Sequence, residues 1–131
     1  MGPQAGANFY VSTCVSPGGS DNSPGNRELS AFAEKMGRGA LKEDINYAAG
    51  WITGQLVVNR IAALGKDVTR ARLVESMANG FTVDTKGLTA PMVYTKDDHG
   101  GPKVHKLISF DYAAGKVKHH GEFRDYEKYV K

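Results

Sequence analysis

"INYAAGWITGQLVVNRIAALG", Ile45 to Gly65, is the longest periodic segment of the chain, and its reading decides the architecture. Asp44 or Asn46 can cap its start, and Gly65 stands where a helix-ending glycine belongs, so the segment is predicted to be a helix. Its apolar residues (Ile45, Ala48, Trp51, Ile52, Leu56, Val57, Val58, Ile61 and Leu64) spread around more than one face. A helix that is apolar nearly all round is expected to lie buried between other elements, with Trp51 in a dry interface. Gly50 and Gly54 would present a smooth surface for close backbone approach. Gln55, Asn59 and Arg60 argue against a membrane helix, which leaves close packing inside a soluble core.

On the N-terminal side, "ANFYVSTCV" is rich in aromatic and β-branched residues and runs into "SPGGSDNSPGN", so a strand is predicted to enter a loop of turn formers. Asn26 is expected to cap a helix "RELSAFAEKM", with Leu29, Phe32, Ala33 and Met36 on one stripe and Gly37 and Gly39 ending it. On the C-terminal side, Thr69 should cap "RARLVESMA", closed by Asn79-Gly80. "APMVYT", "KVHKLISFDY" and "KVKHHGEFRDY" then read as a three-stranded antiparallel stretch, the last two joined by the turn "AAG". One strand, three helices and a meander do not close a core around an all-apolar helix, because the sheet it should pack on is short of strands. The chain reads as part of something larger.

Composition limits the function. A length of 131 residues implies one domain, and 40% apolar with 24% charged residues is an ordinary globular balance. The net charge of +3 is spread among interleaved acids, so no basic stripe marks a nucleic-acid partner. Cys14 is the single cysteine, which excludes an internal disulfide; it reads as a small buried hydrophobe. "MGPQAGANFY" has no charged and apolar sequence of the secretory type, so no signal peptide is expected in the chain itself.

"YTKDDHGGPKVHK", Tyr94 to Lys106, holds the densest set of possible metal ligands: Asp97, Asp98, His99 and His105. Their spacing matches neither a zinc pattern nor a calcium loop, and His119 and His120 should project from opposite faces of a strand. An exposed turn is the expected reading, with a small metal-dependent hydrolase on Asp97, Asp98 and His99 as the alternative. No nucleophile elbow, phosphate loop or dinucleotide fingerprint is present, so no enzyme activity and no cofactor is expected.

Taken in order, "YAAGWITGQLVVNRIAALGKDVTRARLVESMANG", "FTVDTKGLTAPMVYTKDDHGG" and "KVHKLISFDYAAGKVKHHGEF" resemble the C-terminal third of type I periplasmic solute-binding proteins, the Leu/Ile/Val-type receptors of ABC importers. The shared features are the Tyr47 helix opening, the "GKDVTR" cap, Leu88-Thr89 and Asp98-His99 ahead of a strand pair, covering the chain from Ala7 onward. The resemblance implies an α/β fold: a partial lobe whose helices pack on a sheet completed by residues outside this chain, with a C-terminal antiparallel strand pair. All of 1–131 would then be the C-terminal segment of such a receptor. Residues 7–15 would be a hinge-like strand, 26–100 a lobe segment, and 103–131 the returning crossing strands and tail. A receptor of this kind traps a small ligand, here an amino acid or a small aromatic or aliphatic carboxylate, and serves a membrane permease of an ABC importer from the periplasm. Its cleft takes side chains from near the start of the long helix, which makes Lys42, Asp44, Asn46 and Tyr47 the ligand-binding candidates. The remainder of the receptor, or another copy of the chain, is the expected protein partner. A ligand-sensing regulator of the same fold is the alternative.

Overall fold

The computed structural model describes residues 9–125; the first two residues of the hinge-like segment and the last six of the tail lie outside them. β1 (Tyr10–Thr13) leads through a polar loop to α1 (Pro24–Lys35), a 3-10 turn (Gly39–Leu41) and α2 (Ile45–Leu64). A second 3-10 turn (Gly65–Asp67) precedes α3 (Arg70–Ala78), β2 (Phe81–Val83), β3 (Met92–Tyr94), β4 (Val104–Asp111) and β5 (Lys116–Asp125). The fold thus mixes helices with antiparallel sheets.

The helix ends follow local chemistry. Ser23, not Asn26, caps α1: its hydroxyl accepts the Asn26 N–H, and Pro24 opens the helix, where its missing N–H costs nothing. The Ser-Pro pair therefore starts the helix earlier than expected and draws Asn26 inside it. Asp44 caps α2, accepting the N–H groups of Asn46 at 2.7 Å and Tyr47 at 3.4 Å. Gly65 closes α2 at φ 65°, and Thr69 caps α3.

The strands pair differently from the expected meander. β3 pairs with β2, and β4 is flanked by β1 and β5, so the three-stranded sheet runs β1-β4-β5. The segment "TKDDHGGPK" separates β3 from β4, while Asn79-Gly80 returns the chain directly into β2 beside it. β4 and β5 keep a regular register from Leu107↔His120 to Asp111↔Lys116, then shift between His105 and Leu107, where His105 faces Arg124. Three β5 residues there oppose the single Lys106, making a bulge that contains Gly121 at φ 97°.

The apolar core gathers Leu29 from α1, Ala48 and Ile52 from α2, Val83 and Met92 from the β2–β3 hairpin, and Leu88 from the connection between those strands. α2 contributes only Ala48 and Ile52 as buried residues, which corrects the expectation of a helix buried all round. Val58 is 62% and Ile61 40% exposed. Among the described residues a Cβ built at Gly50 or Gly54 would meet nothing within 4 Å, so these glycines pack against no neighbour there. Trp51 is half-buried against Phe32, with ring centroids 4.5 Å apart, and does not sit in a dry interface. The reason is size: a 20-residue helix is about 30 Å long, and strands of three residues cover one stripe of it.

Candidate functional site

The four residues expected near a cleft do not converge. Lys42 Nζ pairs with Glu34 Oε1 at 3.0 Å, and neither residue lines the α2 groove. The Asp44 carboxylate is committed to the α2 cap. Asn46 and Tyr47 come together at one end of an open, mainly apolar groove of about 650 Å³ along α2, whose walls include Phe32, Trp51 and Val58. Gly50 and Gly54 form its floor, and the absence of a Cβ there is what makes it a groove.

The Tyr94–Lys106 stretch forms a turn. Asp98 O accepts the Thr95 N–H at 2.8 Å, and the Asp98 carboxylate takes the Gly100 N–H and pairs with Lys103. The Lys103 bond, followed by the Gly100 N–H, holds the Asp98 carboxyl below its ordinary value. His99 Nε2 meets the Ala78 carbonyl at the end of α3, 3.2 Å away. His105 bonds Ser12, His119 the Ser20 carbonyl, and His120 the Ser109 hydroxyl. Each histidine is thus spent on a different partner. Among the described residues no three His, Cys, Asp or Glu side chains come close enough to hold a metal ion.

A denser polar centre lies where the loop between β1 and α1 meets the three-stranded sheet. Asn26, 1% exposed, donates to Asp21 Oδ1 at 2.9 Å and Pro17 O at 3.3 Å, and accepts the Gly19 N–H at 2.7 Å. It ties the loop to α1. Lys106, buried on β4, brings Nζ to 3.6 Å from Asp21 Oδ2 and 4.6 Å from the centroid of the Phe123 ring. Burial opposes ionisation of Asp21, but hydrogen bonds from Ser23 and Asn26 and the Lys106 charge outweigh it and hold the carboxyl at about 2. Burial pushes the Lys106 ammonium down, with the Asp21 charge and its hydrogen bond opposing.

This centre was missed in the sequence. The available signal was Lys106, Ile108 and Phe110, at alternate positions of one strand: a lysine on an otherwise apolar face needs a buried counter-charge. Beside it, an open cleft of about 600 Å³ runs between Gly18–Ser20, Ile45 and the β4–β5 hairpin, with Glu43 and Lys116 on its rim.

Among the described residues no helix is long and apolar enough to cross a membrane. No family model, curated protein or solved structure matches this chain.

Proposed function

We propose that the chain is the C-terminal part of a two-lobed, non-enzymatic solute receptor that delivers amino acids or related small carboxylates to an ABC permease, its parent being periplasmic. The observation that carries this reading is the uncovered face of α2. A helix with Trp51, Val58 and Ile61 around a glycine floor leaves its apolar surface open, and exposed apolar patches of this kind mark a contact with another polypeptide surface. An α/β sheet from the remainder of the receptor would cover it, as the resemblance to type I receptors implies. The pairing of β1 with β4 also supports the reading, because two crossings between lobes would run side by side. Asn46 and Tyr47, at the end of the groove, remain the ligand-binding candidates, with Lys42 and Asp44 beside them on the chain.

In a receptor that closes on its solute, each lobe supplies part of the contacts, so this chain alone should bind amino acids no more tightly than about millimolar, near −4 kcal/mol. Calorimetry against aliphatic and aromatic amino acids and small carboxylates tests this. A micromolar ligand for the 131-residue chain would mean that it carries a complete site, and the partial-receptor reading would fail.

A further inference from the structure

The loop Pro17–Asn22 rests on the face of the three-stranded sheet that carries Lys106 and His119. Polar contacts from that face to the loop include Lys106 Nζ to Asp21 Oδ2 at 3.6 Å and His119 Nε2 to the Ser20 carbonyl at 3.1 Å. His119 pairs with Ile108 across the β4–β5 ladder, next to the buried lysine. Because Ser20 offers a carbonyl, Nε2 must carry the hydrogen, which leaves Nδ1 as the position that takes up a second proton.

We propose that this seat is a proton-sensitive latch: a proton taken up by His119 weakens the hold of the loop on the sheet, and with it the joint between the sheet and the helical core. The charged and polar groups around His119 come from three elements. Lys106 on β4 repels a second cation, while Asp21 and the Ser20 carbonyl from the loop and Glu122 on β5 attract one. Burial and then Lys106 prevail over these attractions, and the imidazole is held below its ordinary value. Charging it places two cations in a half-dry seat where the Asp21 carboxylate is already spent on Lys106, Ser23 and Asn26. The hydrogen bond to Ser20 survives protonation; repulsion and the cost of a buried charge are what open the latch. His120, next in sequence, bonds Ser109 instead and takes no part.

The test is amide exchange on the intact chain, corrected for intrinsic rates, between about pH 7.5 and about pH 5, where histidine changes charge. The Gly19 and Ser20 amides, which donate to Asn26 Oδ1 and Pro17 O, should lose about threefold or more of their protection on acidification, while α2 keeps its own. In His119→Gln, which keeps an N–H donor and cannot titrate, the loss should vanish. Loss of protection that persists in that variant, or none in the wild type, overturns the proposal. If His119→Gln does not fold, NMR titration of the His119 ring in the wild type decides: its midpoint must coincide with the change in the loop amides, and a separate midpoint overturns the latch.

Discussion

Asp21 holds the loop together from several sides at once, so its substitutions separate charge from hydrogen bonding. Asp21→Asn keeps an acceptor for Ser23 but removes the nearest charge facing the buried Lys106, which should cost about 1–3 kcal/mol because the Asp21 side chain is itself 27% exposed. Lys106→Met in the same seat against Phe123 should cost far less, because an apolar side chain of similar length needs no partner. Urea denaturation of both variants checks the order, and an equal loss would mean that the ion pair is not what holds the loop. Acid should reveal the same carboxylate. With its folded value at about 2 against an ordinary 3.8, Asp21 contributes stability above about pH 4 that is lost as pH falls through about 2. The loss is about 1–2 kcal/mol once its 27% side-chain exposure is allowed for. His119 acts in a higher window: with its folded value lowered, its contribution is complete above the ordinary value of 6.5 and fades as pH drops through it. Denaturation midpoints measured across pH should therefore show two separate declines.

At the scale of elements, α2 shows what a sequence can and cannot disclose. Its ends were legible because Asp44 and Gly65 act within a few residues of where they stand, as Thr69 does at the start of α3, and the β4–β5 hairpin was legible because alternation and a tight turn are equally local. The pairing of β1 with β4 and of β2 with β3 was not, since it depends on contacts formed across the chain. Burial of α2 was also misread: apolar periodicity reports which faces can be covered, and the partner decides which are. Gly50 and Gly54 now give a sharp test. In the present chain both face open space, so Gly50→Ala and Gly54→Ala should each stabilise by about 0.5–1 kcal/mol, the ordinary gain of alanine in a helix. Destabilisation in thermal melts would show a close neighbour on that face. Trp51→Ala should cost about 1–3 kcal/mol, below the range for a fully buried aromatic, because the residue is only partly buried, beside Phe32.

For the whole molecule, the uncovered groove predicts behaviour that no single side chain controls. An apolar channel flanked by Phe32, Trp51 and Val58 should seek a cover, so light scattering should show a mass that rises with concentration. Val58→Lys should suppress that rise without unfolding the chain, because Val58 is 62% exposed. A constant mass at all concentrations would leave the groove without affinity for its own copies. Where the four residues named from the resemblance would lie was not legible in the sequence for a related reason: Asn46 and Tyr47 line the groove, while Lys42 and Asp44 are engaged by Glu34 and by the α2 cap, commitments that appear only once the chain is folded. The bulge at Gly121 has its consequence at this scale too. Among the described residues β5 is an outer strand of the three-stranded sheet, and such an edge, ten residues in length, is long enough to template the addition of foreign strands. The kink opposite Lys106 breaks that edge into two short runs, and Lys116, Lys118, Glu122 and Arg124 line them with charge. Straightening it with Gly121→Val, a residue unsuited to φ 97°, should turn a guarded edge into a seed for fibrils, seen as thioflavin fluorescence that the parent chain lacks.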